Sequence, residues 1–453
     1  MPRPVTPSRL DFDTILRWCI VVTAGVVAAF ILVNSTHSGI AKAPLFVLGA
    51  LLIVTVVVLR AVLERQVNFP VSTIHLLVAL HVPLVLASAY LSFDPVYTPD
   101  ALAFALACIV FFFAGAGAFP STLNIRFLFG CLEWITVALC IVGAAQFFFP
   151  ENLPLVFYLG ASHRVPSLLG NSASFSSFLI VVVPVVLARA AEPGISRAQS
   201  RFHVAVLAAA VALLVSTQTR SSIAGWFVSV AAFAAMTLRF KKIAKGLAFT
   251  LVTVAGILVV LTFVVPRFGA RVTQTFNKGP QSTLARRLYF WEAGGKAFVA
   301  SPLVGHGIGS FERTVFTYRS PDYWEAASED VVPHAHNEVL EIAVEYGLCG
   351  LILSLAVIVL LMKKGISYTR SASGWDRLAA AGLVSSVIGI AVDNLANVTL
   401  REPPVALIVW LFLGLLASPA LSLRPSRRFA VRLPLPNIAA LIPLVVAVLI
   451  AMV

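Results

Sequence analysis

Runs of about 20 apolar residues, each long enough to cross a hydrocarbon layer of ~30 Å, recur along almost the whole chain. About 13 of them stand out by that length, centred near residues 25, 53, 81, 109, 137, 181, 210, 229, 256, 349, 386, 413 and 443. Lipid offers no partner to a bare peptide group, so a spanning segment must be a helix or part of a closed barrel. The runs are continuously apolar rather than alternating, which selects helices. Composition agrees: 59% of the residues are hydrophobic and 12% charged, where a soluble domain carries roughly 25% charged residues. The expected fold is an all-α polytopic membrane protein with about 12–13 transmembrane helices.

A net charge of +13 could suggest a nucleic-acid partner, but the placement of the charge argues for topology instead. With the N-terminus inside, most of the 33 basic residues fall in cytoplasmic segments: Arg3, Arg9 and Arg17, Arg60 and Arg65, Arg126, Arg189 to Arg201, Arg239 to Lys245, Lys363 to Arg377, and Arg424 to Arg432. The short outer loops hold only Lys42, Arg164, Arg220 and Arg401. That bias sets the orientation and makes membrane lipid, not nucleic acid, the expected surrounding. Residues 18–33 with Ala41-Lys42-Ala43 resemble a cleavable secretory signal. Pro44 and the many later spans favour an uncleaved first helix. Cys19, Cys108, Cys131, Cys140 and Cys349 lie in or beside apolar spans without a CxxC pattern, so neither a disulfide framework nor a zinc site is indicated.

The spans divide the chain into residues 1–266 with the first nine, an outer (periplasmic) loop over 267–335, and residues 336–453 with the remainder. A loop that long is uncommon unless functional or disordered. Leu284 to Ala300 has the apolar spacing of a helix, so the loop is expected to be ordered, as a lid or substrate-binding segment. A smaller outer loop runs from about Pro150 to Asn171, and the spans show no internal repeat.

Residues that could carry chemistry gather on the outer side. A single arginine near a membrane boundary is usually a snorkelling anchor, but Arg164, Arg220 and Arg287 all lie on the face that should be poor in arginine. Guanidinium groups bind phosphate oxygens bidentately and stay charged at any working pH, so they can stabilise a phosphate leaving group without a metal or another cofactor. Pro333-His334-Ala335-His336-Asn337 reads as a helix N-terminus at the membrane surface. The helix dipole there favours a neutral imidazole able to accept a proton. Two residues apart, His334 and His336 point in different directions and do not make a metal pair. Glu338, Glu341 and Glu345 share one face of the helix that follows. Intramembrane carboxylates are costly, and these either take part in the chemistry or pair with arginines of the loop. Gly305-His306-Gly307-Ile308-Gly309-Ser310-Phe311 lacks the strand and the lysine of a nucleotide-binding loop and reads as turns near the site. Asp11-Phe12-Asp13 reads as helix N-terminal charge on the cytoplasmic side.

The stretch from Pro333-His334-Ala335-His336-Asn337-Glu338-Val339-Leu340 through Glu345-Tyr346-Gly347-Leu348-Cys349-Gly350 resembles the signature of the O-antigen ligase and polymerase superfamily. Arg287-Leu288-Tyr289-Phe290-Trp291 and Ser301-Pro302-Leu303-Val304-Gly305 are similar to the family's segment upstream of it. Arg164 with Ser167 to Asn171, and Thr219-Arg220-Ser221-Ser222, resemble its two earlier arginine motifs. The likeness covers about residues 160 to 350. It implies a GT-C-like, inverting, metal-independent glycosyltransferase of the bacterial inner membrane whose donor is a glycan on undecaprenyl pyrophosphate. It carries the role of acceptor base to His336 and pyrophosphate binding to Arg164, Arg220 and Arg287. His334, Asn337, Glu338 and Glu341 are candidate supporting groups. Arg286 beside Arg287 leaves the choice between those two to their spacing from Trp291.

Within the family the leading expectation is an O-antigen ligase with a lipid A-core acceptor. The runner-up is an O-antigen or exopolysaccharide polymerase, or a protein O-oligosaccharyltransferase. Polymerases commonly carry an arginine followed by ten residues and a glycine. From Arg164, Arg267, Arg271, Arg286, Arg287, Arg313 and Arg319 the matching positions are Phe175, Lys278, Ser282, Ala297, Phe298, Trp324 and Asp330. A lipid or anion transporter is a third reading, disfavoured because the polar residues lie at one surface instead of near the midplane. His336→Ala and Arg220→Ala are each expected to abolish transfer while the protein still folds in the membrane, and His306→Ala to be mild. An activity assay on membranes with matched protein levels checks all three.

Overall fold

The structure is a computed structural model that describes residues 11–30, 38–92, 94–149, 164–237, 283–327, 333–423 and 427–432. Among these, nine helices are long and apolar enough to cross a membrane. In chain order the elements are α1 (Phe12–Ala29), α2 (Ser38–Glu64), strand β1 (Gln66–Val71), α3 (Thr73–Ala79), α4 (His81–Leu91), α5 (Thr98–Ala118), α6 (Thr122–Phe148), α7 (Ser172–Ala190), α8 (Arg197–Ser216) and α9 (Arg220–Thr237). Then come α10 (Thr283–Ala300), α11 (Phe311–Thr317), α12 (Pro321–Ala327), α13 (Glu338–Ser371), α14 (Gly374–Asp393), α15 (Pro403–Ala417) and β2 (Arg427–Arg432). Helices α3 and α4 run on as one span, Thr73–Leu91. A helix therefore stands at every expected span except those near 256 and 443, which lie outside the described residues. The all-helical expectation needs one amendment: β1 and β2 pair antiparallel, Gln66 opposite Arg432 and Val71 opposite Arg427.

Helices α7, α14 and α15 form the centre, buried on nearly every side. That suits sequences apolar all round rather than on one stripe. Small residues let the backbones approach, as expected where lipid gives helices no hydrophobic drive to associate. A Cβ at Gly225 would come within 2.6 Å of the Gly389 carbonyl oxygen, and one at Gly414 would run into the carbonyl of Phe112.

Polar contacts collect at the two ends of the bundle. At one end Arg60 meets Asp13 at 2.5 Å, Arg126 meets Glu192 at 2.9 Å and Arg189 meets the buried Glu133 at 2.7 Å. Asp11 caps α1 there, accepting from Thr14 N at 3.1 Å. At the other end Lys42, wholly buried, donates to the carbonyls of Val27, Ala28 and Leu168 at 3.1, 3.0 and 2.9 Å. We call this second end, which also carries Pro333–Asn337, the histidine end.

Over the histidine end, α10 to α12 build a small core of their own from Phe290, Ala293, Ala297, Phe311, Val315 and Tyr323, joined by Ala335 and Val344. Below it α13 breaks at Gly347, whose φ of 63° and ψ of −162° are not helical. The peptide groups freed by that break are taken up by the turn after α10. His306 N and Gly307 N donate to the carbonyls of Val344 and Glu345 at 2.8 and 3.0 Å. Leu348 N and Cys349 N donate to those of Pro302 and Leu303 at 2.8 and 3.2 Å. Irregular backbone at membrane depth requires such burial and pairing. Gly305 and Gly347 both have positive φ, and a Cβ at Gly305 would lie 2.5 Å from Glu345 backbone. Gly305→Ala and Gly347→Ala should each destabilise by about 2–3 kcal/mol. Gly295→Ala, in α10 with open space around it, should instead stabilise by roughly 0.5–1 kcal/mol. Thermal unfolding of the purified protein in detergent checks the opposite signs.

Candidate active site at the histidine end

The segment Pro333–Asn337 is held by its middle residue. Ala335 N donates to Glu341 Oε2 at 2.9 Å, and the Ala335 carbonyl accepts from Trp291 Nε1 at 3.0 Å. Asn337 then caps α13 by accepting from Leu340 N at 3.1 Å. His336, between these anchors, is forced to a φ of 50°, a left-handed conformation that a residue with a Cβ adopts only where its surroundings impose it. With Ala335 buried between them, the two histidines meet different partners.

His336 lies over Phe290, ring centroids 6.3 Å apart and 26° from parallel. Burial, then the charges of Arg287 and His334, push its pKa down to about 4, so its imidazole is neutral at ordinary pH. Its Nδ1 is buried with no hydrogen-bond partner among the described residues. Arg287, on α10, is half-buried and loses proton affinity first to burial and then to the like charge of Arg220. Arg220 opens α9 and is exposed. A cation at a helix N-terminus faces the positive end of the dipole, so the arrangement concentrates positive potential. Asp393 offsets part of it. This carboxylate is wholly buried at the end of α14, accepting from Ser177 and, at 3.0 and 3.3 Å, from Ser222 and Thr399. Arg164 gives Nε to the Thr217 carbonyl at 2.8 Å and Nη2 to Thr219 Oγ1 at 2.7 Å, which seats the turn that carries Arg220.

His334 Nδ1 meets Glu341 Oε1 at 2.6 Å, and the Glu341 carboxylate is fully buried. Burial would lower the pKa of this imidazole, but the charge and hydrogen bond of Glu341 outweigh it and the net direction is up. Arg401, in the connection between α14 and α15, reaches Glu338 at 3.3 Å, Glu341 at 3.1 Å and Glu345 at 2.9 Å. The other Glu345 oxygen accepts from Gly309 N at 3.0 Å. Burial works against the charge of Arg401, yet the three carboxylates raise its proton affinity well above the usual guanidinium value.

Residues 204–355 match the protein-family model described as O-antigen ligase. That match, over about a third of the chain, supports an assignment to the O-antigen ligase family. No curated protein matches it. The family match takes in Arg220, Arg287, His334, His336 and the three glutamates, while Arg164, Asp393 and Arg401 lie beyond it.

Of the expected site residues, Arg220 acts by its charge on Arg287 and Arg287 acts by its charge on His336, and Arg287 differs here from Arg286. Arg287 is the neighbour whose charge reaches His336, whereas Arg286 turns its Nε into the protein. Among the described residues the arginine that pairs with the glutamates is Arg401, where the sequence had offered arginines of the 267–335 loop. His306 is a structural residue, its Nε2 2.8 Å from the Ala297 carbonyl. In the sequence Arg401 counts only as an outer-loop charge, and Asp393 and Glu402 do not stand out as site residues. A carboxylate ending an apolar span, and a charged pair just before a Pro-Pro helix start, were the available signals. Removing Arg401 leaves three carboxylates converging in a largely buried place, so Arg401→Leu should destabilise by about 3–5 kcal/mol. A fall of the melting temperature in detergent, far beyond that of Arg313→Leu on the loop, checks it.

Proposed function

We propose that the chain is an O-antigen ligase, transferring a glycan from undecaprenyl pyrophosphate to a sugar of the lipid A core, with the histidine end facing the periplasm of a bacterial inner membrane. The observation that carries this reading is the pairing of two like-charged arginines, Arg220 and Arg287, beside a neutral histidine. Two guanidinium groups whose charges reach each other favour a polyanion beside them, and a pyrophosphate fits that preference. The N-termini of α7, α9 and α13 end on the same side and add their dipoles to the attraction for phosphate. The strongly basic opposite end supports the orientation.

In this reading the acceptor hydroxyl oxygen attacks the anomeric carbon as the carbon–oxygen bond to the pyrophosphate breaks, and the electron pair passes to the phosphate oxygen. Arg220 and Arg287 stabilise that developing charge, with Arg164 holding the turn beneath Arg220. The hydroxyl proton goes to His336. Since Nδ1 is closed off, Nε2 is the nitrogen that receives it. A single displacement inverts the anomeric centre. Guanidinium charge does the work a divalent cation does in other transferases, so the reaction needs no metal.

The test combines purified protein, an undecaprenyl-pyrophosphate-linked glycan and lipid A-core in the presence of chelator, read by gel. Glycan on the core supports the ligase. Glycan that lengthens on its own carrier would make the chain a polymerase, and no covalent product with several donors would return the arginines to a transport site. Arg220→Lys should lose about a hundredfold or more in rate, because a point charge lacks the bidentate fork. A base whose pKa is depressed from 6.5 to about 4 stays unprotonated down to low pH. The acid limb of kcat/KM due to His336 is thus expected below about pH 5. A limb set by this histidine near 6.5 would remove it from the role.

A further inference from the structure

The residues around the histidine end follow one another as a row of electrostatic neighbours. The charge of Arg220 reaches Arg287, that of Arg287 reaches His336, and His334 acts on His336 from the far side of Ala335. Beyond His334 comes Glu402, next in the chain to Arg401, which meets at 3.1 Å the same Glu341 carboxylate that His334 meets at 2.6 Å, and the charge of His334 acts on Glu402. One half of the row is cationic. The other half holds His334 and Glu402, with Glu338, Glu341 and Glu345 gathered on Arg401 behind them.

Two groups in the second half are left open. His334 uses Nδ1 on Glu341, and its Nε2 has no hydrogen-bond partner among the described residues although the side chain is 38% exposed. The Glu402 carboxylate, at the start of α15 and half-buried, likewise has no hydrogen bond or ion pair among them. The structural need for carboxylates here is met by Glu338, Glu341 and Glu345, all three on Arg401, so neither Glu402 nor the outward nitrogen of His334 is required by the junction itself.

We propose that His334 and Glu402 form the acceptor subsite, binding hydroxyl groups of a polyhydroxylated sugar on the side of His336 away from the arginines. The assignment rests on the transferase reading above. In an inverting displacement the nucleophile must approach opposite the leaving group. If the arginines hold the pyrophosphate, the acceptor comes from the side of His334. Carboxylates repel a phosphate but accept hydrogen bonds from neighbouring hydroxyls, and an imidazole nitrogen donates or accepts one more. Glu341 fixes the ring so that Nε2 keeps its direction, the service a carboxylate gives a functional histidine elsewhere. His334 and Glu402 stand on different elements, so a sugar that bridges them also reads the distance between α13 and α15.

The experiment uses the full-length protein in detergent with the undecaprenyl-pyrophosphate-linked donor and lipid A-core, and it varies donor and acceptor separately. His334→Gln and Glu402→Gln should each raise the acceptor KM at least tenfold and leave the donor KM within twofold, while Arg287→Ala should move the donor KM. Binding of the lipid A-core to the protein without donor, followed by native mass spectrometry, should weaken in the same two variants. Loss of kcat with both KM values unaltered in both variants would overturn the subsite and leave the transferase reading in place. Absence of transfer by the unaltered protein would overturn that reading first, and the subsite with it.

Discussion

At the histidine end three carboxylates from one face of α13 converge on the guanidinium of Arg401, and most of what faces the candidate site is suspended from that junction. Glu345 reaches past it to the backbone of Gly309 and so ties in the turn that mends the break at Gly347. Glu341 reaches past it to His334 and to the backbone of Ala335. Charges this poorly hydrated are tolerable only because each has its partner. The same dependence makes the junction rigid, since no member can move without leaving another unpaired.

That rigidity explains how neighbouring histidines acquire opposite proton demands. Ala335 is pinned by Glu341 on one side and Trp291 on the other, which fixes the strand and sends His334 to a carboxylate and His336 to an aromatic wall and an arginine. The unusual backbone of His336 is the local expense of this arrangement. Proton affinity is raised at one ring and lowered at the other, within two residues. Pairs of titratable groups pushed apart in this way are a common mark of sites that move protons.

Much of the fold was legible in the residues because the constraint on a membrane span is local: about 20 apolar residues make a helix wherever they occur in lipid. The break at Gly347 was not, because a helix break at membrane depth depends on the turn that repairs it, and Ser301 to Ser310 lies far back in the chain. The glycines of Gly305-His306-Gly307-Ile308-Gly309 were recognisable as turns, but their docking against Glu345 and Ser92 required the packed bundle. The β1–β2 ribbon escaped for the same reason: its two strands lie some 360 residues apart, near the ends of the chain.

For the site, sequence determined which residue types stand together along the chain: the histidine motif, the glutamates at one helical face, and the arginines of the sparsely basic side. It preferred Arg287 to Arg286 on spacing alone, held Arg401 only as an outer-loop charge and did not single out Asp393 or Glu402, because the contacts of those residues depend on which helix ends meet. Spacing along a helix shows what shares a face. The partner of a buried charge is chosen by packing across helices, where the energy of an ion pair depends on separation and burial that no single segment contains. The residues thus determined a bundle of spans and a histidine motif on one side of it, and the tertiary structure decided which charges that motif meets.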